Sequence, residues 1–418
     1  MRVRDPIAAS DRLTRWESWT DGESPDGKRT QRVTTPVPVR VRRVVDPHAP
    51  RDPPASATGP GGHMPADDTA TPAERDAMER ALLIAGVHGV PGPNPRVGCV
   101  ILDPEGRVLV EGYHRGAGTP HAEAHALARA EAAGIDVRGA TAVVTLEPCN
   151  HTGRTGPCAQ ALLAAGVRRV VVAQSDPNPQ AAGGARTLRD GGVEVVVGVE
   201  AEAAAALNRA WTFAVTHGRP FVTWKFATTL DGRSAAADGT SRWISSRPAR
   251  LDTHRLRAGC DTMLVGTGTV LTDDPLLTVR DADDVPLPLQ PLRAVMGLRS
   301  LPADARVLNG DAQTLQIRTR SPREALATLH ERERRHVFLE GGPTLAAAFV
   351  ADGFVDEVVA YVAPVLLGAG RNAVGDLGIT TIADALRLRV TEVATVGDGA
   401  DTNIRITLRA APAPSEED

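Results

Sequence analysis

Hydrophobic and polar positions along this chain alternate in two series, each reading as strands separated by helices, after a first stretch with no sustained period. The first series opens at Thr71-Pro72-Ala73-Glu74, a capping box with proline at the first helical position, and continues as the helix MERALLIAG. The glycines and prolines of GVPGPNP end that helix. Strands VGCVIL and RVLVEGY, joined by the turn DPEG, then read as a hairpin. A helix through AEAHALARAEAAG follows. Next come strand TAVVTL, helix AQALLAAG, strand RRVVVAQ, helix ARTLRDGG, strand VEVVVGV and one long alanine-rich helix from about Glu200 to His217. Such alternation predicts an α/β layer with a largely parallel sheet.

A second apolar start, RPFVTWKFATTLDG, opens another series near residue 219. Its elements include CDTMLVGTGTV, PLRAVMGL, TLQIRT, the helix PREALATLHERERR, the strand HVFLEGG with the helix PTLAAAFVADG, then VDEVVAYVAPVLLG and a closing ITLRA strand. The predicted domains are therefore 71–217 and 218–410, with a flexible tail over 411–418. Residues 1–70, rich in Pro, Arg, Gly and Asp, are expected to be disordered, and Met64 is an alternative point of initiation.

Composition narrows the choice of class. The 418 residues exceed what one core usually serves, and 42% hydrophobic with 23% charged residues is ordinary for a globular protein. A formal net charge of -4 gives no general pull toward nucleic acid or membrane. No run approaches the length of a membrane span and the N-terminus carries no apolar signal core, so a cytoplasmic protein is expected. Only four cysteines occur, too few for a disulfide framework, which favours metal or catalysis for the close pair Cys149 and Cys158. Cys99 and Cys260 read as small buried hydrophobes.

That close pair joins His121-Ala122-Glu123 in the pattern H-x-E…P-C-x8-C. Zinc prefers nitrogen and sulfur donors, and a catalytic site keeps three protein ligands with a fourth position open. His121, Cys149 and Cys158 supply that set, and Glu123 is placed to move protons, the division of labour in zinc deaminases. Residues at i and i+2 can converge on one ion only at a helix's first turn, and Pro120 fits a helix start there. His125, four residues past His121, reads as a packing or supporting residue. The eight residues between the cysteines carry His151, Arg154 and hydroxyls, suiting an anionic, hydrogen-bonding substrate.

In the second series, Lys225 is conspicuous. Of 47 basic residues only Lys28 and Lys225 are lysines, so arginine serves for generic charge and this position needs a compact ammonium, as substrate contact or proton donor. The turn from HVFLE through Gly341-Gly342 into a helix can cradle phosphate. No G-x-G-x-x-G follows a strand, which disfavours a Rossmann fold.

Taken together, Asn94-Pro95-Arg96-Val97-Gly98-Cys99-Val100, Gly112-Tyr113-His114, His121-Ala122-Glu123 and the run from Glu147-Pro148-Cys149 to Gly156-Pro157-Cys158 resemble the bifunctional deaminase/reductase family of riboflavin biosynthesis. The resemblance spans about residues 71 to 410. It implies a cytidine-deaminase-like α/β/α domain and a dihydrofolate-reductase-like α/β domain, with Zn2+ and NADPH as cofactors. By resemblance, Asn94, His114, His151, Arg154, Asp176 and Asn178 hold a small phosphorylated pyrimidine in the first site. After Asp176-Pro177-Asn178-Pro179 the chain departs from the family, reading QAAGGARTL where a valine and a spaced glycine pair are usual. In the second site the resemblance implies catalysis by Lys225, phosphate binding by Arg257 and Arg280, and sugar contacts from Ser241 and one of Asp273 or Asp274. Leu277 and Glu340 would also line the substrate. Ala227, Trp243, Ser245, Gly266, Thr269, Gly341, Gly342, Pro343 and Thr344 would hold the cofactor. A homo-oligomer without nucleic acid or membrane partners is expected. The rivals are a nucleic-acid-editing deaminase with an RNA-binding second domain, and a deaminase whose second domain serves only assembly.

Overall fold

The computed structural model describes residues 69–151 and 156–410, together with the backbone of residues 39–43. Within the stretch expected to be disordered, Val39–Arg43 instead forms a strand, β1, antiparallel to the strand Leu388–Val396. The alternating Val39-Arg40-Val41-Arg42 is the period-two signal that compositional bias concealed. The remainder of 1–68, Met64 included, and the tail 411–418 lie outside the described residues.

The first helix, α1 (Pro72–His88), starts as its capping box predicts: Thr71 Oγ1 accepts the Glu74 N–H at 3.2 Å and Glu74 Oε2 accepts the Thr71 N–H at 2.8 Å. There follow β2 (Gly98–Leu102), β3 (Val108–Tyr113), α2 (Ala122–Ala132), β4 (Thr141–Leu146), α3 (Cys158–Ala164), β5 (Arg169–Gln174), α4 (Gly184–Asp190) and β6 (Glu194–Val197). Their sheet has the order β3-β2-β4-β5-β6, antiparallel across β2 and parallel from β4 to β6. Its central strands β2 and β4 are buried throughout because helices cover both faces. Val143 and Val171 pack with Met78 and Ala81 of α1, whereas Val144 and Val172 pack with Ala126 of α2 and Leu162 of α3.

The long alanine-rich helix expected from Glu200 to His217 is two helices, α5 (Ala201–Leu207) and α6 (Arg209–His217), broken at Asn208. Asn208, buried at 3% exposure, turns its amide onto the main chain of Arg96: Oδ1 accepts the Arg96 N–H at 2.8 Å and Nδ2 donates to the Arg96 carbonyl at 2.9 Å. A side chain that competes for backbone partners interrupts a helix in this way.

The second half contributes β7 (Phe221–Thr229), β8 (Arg233–Ala235), α7 (Arg247–Ala258), β9 (Thr262–Gly266), α8 (Thr267–Asp273), β10 (Leu292–Met296), β11 (Thr314–Ile317), α9 (Pro322–Glu331), β12 (His336–Leu339), α10 (Pro343–Ala351) and β13 (Glu357–Ala363). It closes with β14 (Arg371–Asn372), β15 (Leu388–Val396) and β16 (Asn403–Ala410). Nine strands form one sheet in the order β1-β15-β16-β13-β7-β12-β9-β10-β11. The strands from β13 to β11 run parallel and the other three join antiparallel, the arrangement of a mixed α/β layer. The parallel register sets Trp224 of β7 and Leu264 of β9 level with Leu339, the last residue of β12, so Lys225, Glu340 and the Gly266 turn lie close together at the carboxyl end of β12 and β9, where open α/β sheets place their ligands.

Candidate active sites

The first site is assembled by the starts of two helices and the end of a strand. His121 is the N-cap residue of α2, Glu123 sits in that helix's first turn, Cys149 follows β4, and Cys158 opens α3. The i, i+2 pair therefore converges at a helix terminus, as its spacing requires. His121 Nδ1 lies 3.5 Å from Cys149 Sγ and 3.4 Å from Cys158 Sγ, and the three donor atoms fall within 4.8 Å of one another. Zn–N and Zn–S bonds in a tetrahedron put N and S about 3.5 Å apart, so this donor set fits zinc. The Cys158 thiol and His121 imidazole draw the Cys149 thiol down to about 4, while the same contact with Cys149 pushes Cys158 up. Zinc, when bound, would hold both cysteines as thiolates. Burial raises the Glu123 carboxyl to about 7, the range of a group that both takes and gives protons near neutrality.

Asn94, His114, His151, Asp176 and Asn178 line the same cavity of about 590 Å3 as His121, Glu123 and Cys149. His114 Nδ1 lies 2.9 Å from the Pro120 carbonyl, which can only accept, so that nitrogen carries the proton and Nε2 accepts from Asn94 Nδ2 at 2.9 Å. The pair fixes the Asn94 side chain at the cavity wall. Burial raises Asp176 to about 6, and its Oδ1 accepts the Asn178 N–H at 2.8 Å. Arg154 lies outside the described residues. His125 packs edge-on against Tyr113, and Cys99 and Cys260 are buried, each as expected.

Two features escaped the sequence reading. Glu147 fastens the substrate wall: Oε2 accepts the Asp176 N–H at 3.1 Å, and Oε1 accepts those of Gly183 at 3.2 Å and Ala185 at 2.9 Å. The glycines of QAAGGARTL are what this turn needs. Gly183 has φ +100°, and a Cβ on Gly184 would lie 1.7 Å from the Pro148 carbonyl oxygen. Glu333 and Arg335, from the second half of the chain, also line the cavity. The halves are joined beside it by an Arg209–Glu357 ion pair at 3.4 Å, next to Trp211, whose Nε1 donates to the Pro93 carbonyl at 3.1 Å within the first half.

At the second site Lys225 on β7, Arg257 at the end of α7 and Glu340 after β12 are brought together. Arg257 Nε donates to Glu340 Oε1 at 3.0 Å, Nη2 donates to Oε2, and Nη1 donates to the Thr278 carbonyl at 3.2 Å. Burial pushes the Lys225 ammonium's pKa down, opposed by Glu340 and reinforced by Arg257. Burial also acts to raise Glu340, but the Arg257 and Lys225 charges outweigh it and hold the carboxyl below its ordinary value. Arg280 joins through His254, whose Nδ1 accepts the Arg280 N–H at 3.2 Å. Burial and then Arg257 depress His254 to about 4, so it stays neutral, a residue the sequence did not flag.

Asp274, in a left-handed conformation at the end of α8, spends Oδ1 on the Arg306 N–H at 2.8 Å. Leu277 is buried with φ +52°. Ser241 is exposed, next to Arg242, whose Nη2 donates to the Asp273 carbonyl at 3.4 Å. Trp243 is 68% exposed with the Arg250 guanidinium 4.2 Å above its ring, and Arg250 donates to the Ser245 carbonyl at 2.7 Å. Gly266 precedes α8, which carries Thr269, and Gly342 precedes α10, which opens with Pro343 and Thr344, so two helix starts face this edge. Gly341 is needed sterically, since a Cβ there would meet Leu345 Cδ2 at 2.6 Å. Ala227 lies two residues beyond Lys225 on the same strand and face.

Comparison with known proteins places each half of the chain in a known domain family. Residues 72–174 match the cytidine and deoxycytidylate deaminase zinc-binding region, and residues 220–401 match the RibD C-terminal domain. The riboflavin biosynthesis protein RibD of Mycobacterium tuberculosis (strain H37Rv) is 53% identical over 312 residues, covering 74% of this chain and 91% of that relative. The chain belongs to the RibD family. The Escherichia coli (strain K12) member is 39% identical, covering 73% of this chain and 91% of its own length. Among solved structures, the Thermotoga maritima deaminase/reductase superposes with a TM-score of 0.73 at 31% identity, covering 81% of this chain and 99% of that one. Acinetobacter baumannii RibD gives 0.71 at 37% identity with the same coverage. Like its family, the chain is bifunctional, a zinc-dependent deaminase joined to an NADPH-dependent reductase of riboflavin biosynthesis. Among the described residues no helix is long and apolar enough to cross a membrane.

Proposed function

We propose that the first half hydrolyses the 2-amino group of 2,5-diamino-6-ribosylamino-4(3H)-pyrimidinone 5′-phosphate, and that the second half reduces the ribosyl side chain of the product to ribityl. The observation that carries the first step is the tetrahedral spacing of His121, Cys149 and Cys158 at a cavity that Glu123 also lines. These three residues would hold zinc, which when bound supplies a water activated near neutral pH. Glu123 carries a proton to the nitrogen that leaves as ammonia, in a pocket dry enough to keep its carboxyl near 7. Asn94, oriented by His114, holds the pyrimidine together with Asp176 and Asn178, His151 lines the same cavity, and Arg154 is assigned to the substrate by the family resemblance alone.

For the second step, Lys225 supplies a proton to the sugar as its ring opens, its ammonium maintained by Glu340. Arg257 and Arg280 bind the 5′-phosphate beside Leu277. Ser241 and Asp273 contact the sugar hydroxyls. Asp273 is preferred over Asp274 because Asp274 is already bonded to the Arg306 N–H. Ala227, Trp243, Ser245, Gly266, Thr269 and the Gly341 to Thr344 turn hold NADPH, whose phosphates suit the free N–H groups at the two helix starts. The working form is a homo-oligomer of the cytoplasm: Val365, Leu366 and Leu367 form an exposed apolar run fit for a subunit contact, and the free cysteines suit a reducing compartment. The net charge and the 3% aromatic content favour a small-molecule substrate over nucleic acid.

Withholding NADPH tests the order of steps. The zinc-loaded protein is expected to accumulate the deaminated ribosylamino compound, identified by mass, and to convert it to the ribityl compound when NADPH is added. Reduction of the diamino compound before any deamination would reverse the assignment.

A further inference from the structure

We infer that Tyr361 is a positioning residue for Lys225: the face of its buried ring holds the ammonium, and Asp252 fixes the ring. The inference rests on the reading of Lys225 as proton donor and begins from what holds that ammonium. Among the described residues no hydrogen bond or ion pair meets the Lys225 Nζ. The two charges that act on it, Glu340 and Arg257, are bonded to each other. Beside it lies an aromatic face: Nζ stands over the Tyr361 ring, 5.6 Å from its centroid. The face of such a ring is negative and attracts a cation most where water is excluded, and Tyr361 is fully buried.

The sheet dictates this meeting. In the parallel pair of β7 and β13, Lys225 is level with Val359 and Ala227 with Tyr361, so Tyr361 is the diagonal neighbour of Lys225 on one face. Ala227, directly beside Tyr361, carries only a methyl group, which leaves the ring room to reach toward Lys225. Helix α7 covers the same face, with Ala249 and Leu256 packed into the cluster that holds Tyr361. From that helix Asp252 anchors the ring's far end. Tyr361 Oη donates to Asp252 Oδ2 at 2.6 Å, Arg405 Nη1 donates to the same oxygen at 2.6 Å, and Arg255 Nε donates to Oδ1 at 2.9 Å. Burial acts to raise the Asp252 carboxyl, but Arg255 and Arg405 outweigh it and hold the group below its ordinary value, so it stays an acceptor. Burial and then Asp252 push the Tyr361 phenol up, so it stays a donor. The hydroxyl is thereby tied and the ring cannot swing away from Lys225. Among the groups around the ammonium, Glu340 and Arg257 are charged, His254 next to them is neutral, and Asp252 and Arg405 pair with each other beyond the ring's hydroxyl.

The test exploits the scarcity of lysine. The full chain holds only Lys28 and Lys225, so protein made with isotope-labelled lysine shows two side-chain titrations by nuclear magnetic resonance, and Lys28→Arg leaves that of Lys225 alone. Tyr361→Leu removes the ring and is expected to lower the Lys225 midpoint by about half a unit to one unit, the size of a buried cation–π contact. Tyr361→Phe keeps the ring and should lower it less. Phenylalanines of increasing fluorination placed at position 361 keep the ring's shape while draining its negative face, which keeps the test decisive even where Tyr361→Leu fails to fold. The midpoint should then fall stepwise with each added fluorine, and the basic limb of NADPH oxidation on the deaminated compound should move with it. A Lys225 midpoint that is the same in every variant overturns the inference. So does an equal fall in Tyr361→Phe and Tyr361→Leu with no dependence on fluorination, which would mark Tyr361 as packing alone. If the midpoint falls with fluorination while the rate profile stays in place, the positioning stands and the proton-donor reading of Lys225 fails, an outcome distinct from either.

Discussion

Arg257 and Glu340 form a two-pronged ion pair one residue past the end of β12, with Arg257 Nε 3.0 Å from Glu340 Oε1. Both groups act on Lys225, the carboxylate favouring its ammonium and the guanidinium opposing it. Burial is the larger influence and lowers the Lys225 pKa, and the pair adjusts the protonation of this group, which is assigned to give the sugar its proton.

Replacing Glu340 with Gln removes the charge that sustains the Lys225 ammonium. The Lys225 pKa then falls further, and a step that needs the ammonium is lost at lower pH. The basic limb of the kcat/KM profile for NADPH oxidation should move toward acid in Glu340→Gln. A basic limb that stays in place would separate Lys225 from the titration.

Glu123→Gln keeps the shape of the buried side chain and removes its proton chemistry. Ammonia release should fall by at least about a hundredfold. Zinc content and NADPH oxidation on the deaminated compound should be retained. Ammonia release within a few-fold of the parent would assign the proton transfer to another group, with Asp176 the next candidate.

Cys149→Ser replaces a soft thiolate with a weakly acidic hydroxyl at a site whose donor spacing fits zinc. Metal analysis should show zinc falling well below one equivalent, with deamination lost and reduction of the deaminated compound kept. Full zinc occupancy in this variant would remove Cys149 from the ligand set.

Asn208→Ala leaves the Arg96 N–H and carbonyl buried without partners at the contact between α6 and the segment leading into β2. A loss of about 2 kcal/mol or more is expected in urea unfolding. An unchanged midpoint would mean that water replaces both bonds.

The zinc site was legible in the sequence because metal chemistry restricts both residue type and position: His121, Glu123, Cys149 and Cys158 must sit at element ends, and Pro120 and Pro157 mark those ends. The alternating layers were legible because buried strands and amphipathic helices carry different periods. What remained hidden depends on contacts remote in sequence. Asn208 breaks its helix for a partner 112 residues away. Glu147 gathers three N–H groups from a loop that begins 29 residues later. Arg335 reaches a cavity built by the other half of the chain. The β1 strand was missed because the proline and arginine content of residues 1–70 outweighed a five-residue alternation.

The central claim is that one chain carries two sequential chemistries, and one experiment reads both. Purified protein with zinc, NADPH and the diamino pyrimidine phosphate is followed for ammonia and for NADPH absorbance in the same sample. The account predicts one ammonia released and one NADPH consumed per substrate, with ammonia release persisting when NADPH is omitted. Ammonia appearing while NADPH absorbance never falls would contradict it.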